Sequence, residues 1–247
     1  MVFSNIKAQA KEALKGKWGK GALITLLYFV FELVLGYIGE LTENIAFLSL
    51  IISIAVMVIS VPISYGLIVS FMKLKKDEEV KFYDFFKLGF SNFSRSWKVI
   101  GNILLKMWLP ILLYVLATVA LTFIISFGLV ASIAANSGAF VIIATVIGIA
   151  LVIASFVYLF ITSLNYTFSI FVAADDEGKN AKESVEESKK LMKGYKGKFI
   201  LFQLSFIGWI LLSAITLYIG FLWVLPYMMV AQIFFYEYLK ENNKVEE

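Results

Sequence analysis

Two ionisable groups in this chain sit where a charge is expensive. Glu32 lies about twelve residues, or roughly 18 Å, into the apolar run after Lys20, and Lys106 lies about eight residues, roughly 12 Å, beyond Lys98. At mid-bilayer a charge costs about 2.5 to 3.5 kcal/mol even on the lenient insertion scale, so such groups are candidates for function. Their depths nearly meet. Glu32 and Lys106 can form an intramembrane ion pair; alternatively Lys106 snorkels to the surface while Glu32 is neutral or faces the outer water.

A second polar set gathers toward one end of the apolar runs: Asn102, Asn165, Gln203 and Gln232, with Tyr65, Tyr166 and Tyr227. It could line a cavity open to that side, or supply interhelical hydrogen bonds averaging about 0.6 kcal/mol each. A third set is repeated outright. "ALKGKWGKGALI" (Ala13 to Ile24) and "LMKGYKGKFI" (Leu191 to Ile200) each place Lys-Gly, two residues and Gly-Lys before an apolar run. The residues are Lys15, Gly16, Trp18, Gly19 and Lys20 in one copy, and Lys193, Gly194, Tyr195, Gly197 and Lys198 in the other. Neither has Walker spacing or a Ser or Thr after the lysine, so a nucleotide-phosphate loop is excluded.

The elements that hold these groups follow from composition. Of 247 residues, 60% are hydrophobic and 16% charged, against about 25% charged in soluble domains. Met107 to Ala174 carries no charge, and one helix of that length would be roughly 100 Å long in a hydrocarbon core of about 30 Å. It must cross and return, with "SIAANSGA" (Ser132 to Ala139) as the turn. The same arithmetic gives six spans at 21–39, 45–72, 99–131, 140–174, 199–217 and 221–239. The last two need a tight hairpin near Gly220, or one of them is re-entrant. No ten-residue alternation supports a β-barrel.

With the amino terminus inside, the inner segments hold five (Lys7 to Lys20), seven (Lys73 to Lys98), seven (Lys179 to Lys198) and two (Lys240, Lys244) basic residues, and the outer turns none. That segregation follows the positive-inside rule and places both termini in the cytoplasm. The first apolar run lacks a small-x-small cleavage site and reads as an anchor rather than a signal peptide.

Each odd-numbered span follows a short amphipathic stretch. Phe3, Ile6, Ala10, Ala13 or Leu14, and Trp18 recur at three- and four-residue spacing before the first. Ala181, Val185, Ser188, Met192 and Tyr195 do so before the fifth, with Asn180 and Glu183 at capping-box spacing. Phe82, Phe86, Phe90 (or Gly89), Phe93 and Trp97 form a looser third copy. "PISYGL", "SLNYTF" and "LPYMMV" set a tyrosine near the inner end of each even-numbered span. The chain reads as a single membrane domain, 1–247, in three tandem units: 1–72, 73–174 and 175–247. Gly16 with Gly19, and Gly194 with Gly197, supply backbone freedom for a helix in the headgroup plane to turn into the bilayer. Each lysine there is worth about 1 kcal/mol near an anionic surface.

With no cysteine and no histidine, thiolate chemistry, Cys-based metal sites and the commonest general base are excluded. "DDEGKN" (Asp175 to Asn180) lacks the alternating ligands of a calcium loop and reads as a helix-start turn. Pro62, Pro110 and Pro226 are positioned to kink their helices. Lysine outnumbers arginine 21 to 1, which reads as codon supply.

"AKEALKGKWGKGALITLL", "ESKKLMKGYKGKFILFQLSFIGWILL" and "LYIGFLWVLPYMMVAQIFFYEYL" resemble the bacterial integral membrane proteins grouped as domain of unknown function 975, over nearly the whole chain. The resemblance implies a multi-span protein of the bacterial plasma membrane and supplies no reaction or ligand. The expected fold is an all-α polytopic transmembrane helical bundle, six spans as three hairpins, each preceded by a cytoplasmic interfacial amphipathic helix. The expected function is a non-enzymatic module that organises lipid or a partner protein; the alternative is a small transporter or lipid translocator. Expected partners are membrane lipids, with an anionic inner leaflet foremost, and not nucleic acid; no cofactor is expected.

Overall fold

In lipid a backbone must satisfy its own polar groups, and long runs of Leu, Ile, Val, Phe and Ala do so as helices. The computed structural model describes residues 2–42, 44–135 and 138–244, and of residues 129, 131–135, 139, 140 and 244 the backbone alone. Every regular element among them is helical: α1 (Val2–Ala13), α2 (Trp18–Leu41), α3 (Ala46–Lys75), α4 (Asp84–Ser91), α5 (Phe93–Ala135), α6 (Ala139–Ser163), a 3₁₀ turn (Leu164–Tyr166), α7 (Ser169–Asp175), α8 (Ala181–Leu191), α9 (Lys196–Leu204), α10 (Ile207–Ile215) and α11 (Phe221–Lys244).

Among the described residues six segments are long and apolar enough to cross a membrane: Trp18–Leu41, Ala46–Lys75, Phe93–Gly128, Val141–Asp175, Lys196–Ile215 and Phe221–Asn243. Two of them are not single helices. The fourth breaks at the 3₁₀ turn before resuming as α7, and the fifth breaks at Ser205 between α9 and α10. The expected turn at 132–139 includes Asn136 and Ser137, which lie outside the described residues.

The chain divides into two compact units, 1–100 with 168–247, and 101–167. The first holds the arginine and every lysine except Lys106. Its centre is α3, α7 and α11, and a short helix leans on each: α4 on α3, α8 on α7, α1 on α11. Aromatic rings fill the middle. Phe235 lies 4.8 Å from Phe202, 5.4 Å from Phe199 and 6.1 Å from Phe168, and Phe206 meets Tyr227 edge-on at 5.3 Å. Such ring pairs add about 0.5–1.5 kcal/mol beyond area burial.

The second unit is two helices, the remainder of α5 and α6, with almost none of their apolar surface covered by protein. They approach closely at two glycines, where a Cβ on Gly148 would stand 2.8 Å from Leu121 and one on Gly128 2.8 Å from Val141, and the rings of Tyr114 and Phe156 meet at 6.0 Å.

The apolar stripe of α1 is used inside the protein. Ile6, Ala10 and Leu14 are buried, as are Val185, Ser188 and Met192 at α8. In the third stretch the buried pair is Phe85 and Gly89, while Phe82, Phe90 and Phe93 of the expected aromatic face are exposed.

Candidate functional site

The two glycine elbows have the same geometry. After α1, Leu14 N–H donates to Ala10 O (3.2 Å) and Lys17 N–H to Leu14 O (2.8 Å); after α8, Met192 N–H donates to Ser188 O (3.0 Å) and Tyr195 N–H to Met192 O (3.2 Å). Between these bonds Gly16 (φ 75°) and Gly194 (φ 78°) adopt the left-handed conformation, which costs a residue with a Cβ about 1–2 kcal/mol. Lys17 and Tyr195 then start the next helices with nearly equal angles, φ −118°, ψ 3° and φ −107°, ψ −3°. Gly19 and Gly197 are ordinary helical residues with open space where a Cβ would go. Only the first glycine of each pair makes the turn. Lys15, Lys20, Lys193 and Lys198 are exposed, and Trp18 packs 6.3 Å from Tyr227.

The junction between α4 and α5 is built differently. It turns at Asn92 (φ −107°, ψ 22°) without a left-handed residue. Here α4 is pressed against α3 backbone to backbone: a Cβ on Gly66 would stand 2.0 Å from Phe85 O, and one on Gly89 2.4 Å from Pro62 O. Pro62 has no N–H to offer the carbonyl four residues back, that of Val58, and the Trp97 indole N–H takes it at 3.2 Å.

Polar ties close the basic end. Arg95 donates from its guanidinium to four carbonyls at the end of α7, that of Ala173 (3.0 Å) in its last turn and those of Asp176 (2.7 Å), Glu177 (3.0 Å) and Lys179 (2.9 Å) beyond it. Ala173 O is one of the last four carbonyls of the helix and the other three belong to the turn that follows, and a planar fork with five donors can serve several at once where an ammonium cannot. Tyr65 donates to Ala173 O at 3.1 Å. Lys17 reaches Leu74 O at 3.0 Å and Asp77 at 2.5 Å; Lys75 pairs with Glu237; Asp175 receives Lys240 at 2.6 Å. At the α9–α10 break, Lys7 donates to Ser205 O at 2.6 Å and lies over the Phe206 ring. Burial, with the charge of Lys11 beside it, lowers the Lys7 pKa. None of these ties was read from the sequence; the one available signal was a lone arginine among lysines.

Asn180 opens α8 with the expected capping box, accepting from Glu183 N–H at 3.0 Å while Asn180 N–H donates to the Glu183 carboxylate at 2.8 Å. Lys179 pairs with Glu187, and that hydrogen bond raises its pKa. Between α8, the second elbow and the last turns of α11 lies an open groove of about 1030 Å³. A depression of about 220 Å³, lined by Val2, Phe3, Lys198 and Tyr238, adjoins it through Lys198.

The expected intramembrane groups fall in both units. Lys106, Asn102, Asn165 and Tyr166 belong to 101–167, where Asn165 donates to Thr162 O at 3.0 Å. Glu32, Tyr65, Gln203, Tyr227 and Gln232 belong to the other. There Tyr28 and Ser64 hydroxyls stand 3.4 Å apart between α2 and α3. One turn further along each helix, Glu32 Oε1 and Ser60 Oγ are buried without a hydrogen-bond partner, as is Gln203 Oε1 on α9.

A chain whose described residues form helices as their only regular elements, six segments of them long and apolar enough to cross a membrane, has the makeup of a multi-pass membrane protein. The chain belongs to the family described as Protein of unknown function (DUF975), whose profile matches residues 1–243. No curated protein and no solved structure matches it.

Proposed function

We propose that this protein is a non-enzymatic module of the bacterial plasma membrane, threaded as three hairpins with both termini in the cytoplasm. On that face α1, α4 and α8 lie at the surface and organise anionic lipid or a membrane-protein partner. The observation that carries this reading is the way the short helices are docked. Their apolar stripes are buried against α11, α3 and α7, which leaves lysines and the exposed rings of Phe82, Tyr83, Phe90 and Phe93 facing outward. Lysines over an anionic leaflet and aromatic rings at headgroup depth are the two usual interfacial anchors.

A second reading, a small transporter or lipid translocator, is favoured by the breaks in the fourth and fifth spans and by the unpartnered oxygens of Glu32 and Gln203. Interrupted spans with polar groups near them are how transporters build midplane sites.

The deciding experiment is gentle extraction from native membrane followed by mass spectrometry of co-purifying lipids and proteins. A stoichiometric protein partner, or a shell of anionic lipid released by salt, supports the module. A single retained small molecule or lipid that crosses reconstituted vesicles supports the translocator.

A further inference from the structure

We propose that the groove between α8 and the end of α11 binds the phosphate group of an anionic amphiphile, whose apolar part enters the adjoining depression at Val2 and Phe3. This rests on the reading of the basic end as a membrane-facing surface and names a ligand for one place on it. The groove's volume, about 1030 Å³, reaches the upper end of the roughly 300–1,000 Å³ usual for ligand sites. It lies where the fifth span begins, at Lys196, and the sixth ends, at Asn243, so a lipid headgroup beside those spans is at its level.

The balance of charge inside the groove favours an anion. Its carboxylates are already engaged: Glu183 closes the capping box, Glu187 holds Lys179, and Glu186 has an interaction of its own. Among the described residues the Lys190 and Lys193 side chains line the groove with no ion pair or hydrogen bond, and Lys198 is held over the Tyr195 ring at 4.8 Å. Ammonium groups lining one groove from α8, the elbow and α9 suit an acceptor with several oxygens. Lys198 also lines the apolar depression beside Phe3 and Tyr238, so the head and tail of one molecule could be held side by side. Phosphate is the shared chemistry of a phospholipid headgroup and a soluble phosphate, and the two sources separate experimentally.

The test uses the full chain in phosphatidylcholine nanodiscs, titrated with fluorescent phosphatidylglycerol. Lys190→Gln with Lys193→Gln is compared with Lys182→Gln and Lys189→Gln, which remove equal charge from α8 outside the groove. We expect the groove pair to weaken binding at least about tenfold and the control pair to change it by less than about twofold. Equal losses would overturn the groove and leave general anchoring to anionic lipid intact. Absence of any preference for phosphatidylglycerol in the unaltered protein would overturn the surface reading and the groove together. Displacement of the lipid by millimolar inorganic phosphate alone would keep the phosphate site and overturn the amphiphile as its occupant; resistance to it supports the amphiphile.

Discussion

The elbows after α1 and α8 turn the chain with a left-handed glycine and nothing pressing on it, whereas the α4–α5 junction turns without one and depends on two glycines that let backbones touch. The same task, leading a short helix into an apolar one, is solved in one way by local conformation and in another by tertiary contact. The first solution is written in a few adjacent residues; the second needs Gly66 and Gly89, which belong to different helices.

Substitutions sort the two solutions by size. The largest effect is expected at the contact: Gly66→Ala or Gly89→Ala puts a Cβ 2.0 or 2.4 Å from a backbone oxygen, and loss of more than about 3 kcal/mol, seen as loss of monodisperse protein after extraction, is the outcome of such overpacking. Arg95→Lys comes next. It keeps the charge but not the fork that holds four carbonyls, and should cost about 1.5–3 kcal/mol in thermal or denaturant unfolding.

The elbows provide the finer contrast. Gly16→Ala and Gly194→Ala should each cost about 1–2 kcal/mol for the left-handed φ, and by nearly the same amount, since the angles are 75° and 78°. Gly19→Ala and Gly197→Ala meet open space in a helix and should stabilise by about 0.5–1 kcal/mol. A Gly16 variant as harmless as its Gly19 counterpart would break the comparison.

The smallest effect is electrostatic. Glu187 raises the Lys179 pKa above 10.5, so this pair's stabilisation is fully present below the unfolded value and fades as pH rises through the folded one. Glu187→Gln should remove that alkaline loss, which a pH series of melting temperatures up to the alkaline limit would reveal.

Much of this was legible in the sequence because it is local. Six spans followed from charge-free length, the elbows from two copies of Lys-Gly-x-x-Gly-Lys, and the start of α8 from Asn180 and Glu183. Contacts between distant segments were not. Phe82, Phe86, Phe90 (or Gly89), Phe93 and Trp97 read as one aromatic face, yet the close approach of α3 makes Phe85 and Gly89 the buried pair of α4. Arg95 looked like codon bias because nothing near it announces the end of α7. The break at Ser205 left only a small polar residue in an apolar run, and its acceptor was met by Lys7, nearly the whole chain away.

The central claim, that α1, α4 and α8 share the cytoplasmic face, is open to a direct measurement because the chain has no cysteine. Single variants Glu12→Cys, Lys87→Cys, Lys189→Cys and Leu217→Cys all place a thiol at an exposed position. A membrane-impermeant maleimide should label the first three only in inverted vesicles and Leu217→Cys only in spheroplasts. Labelling of any of the first three from outside, or of Leu217→Cys from inside, would contradict the account.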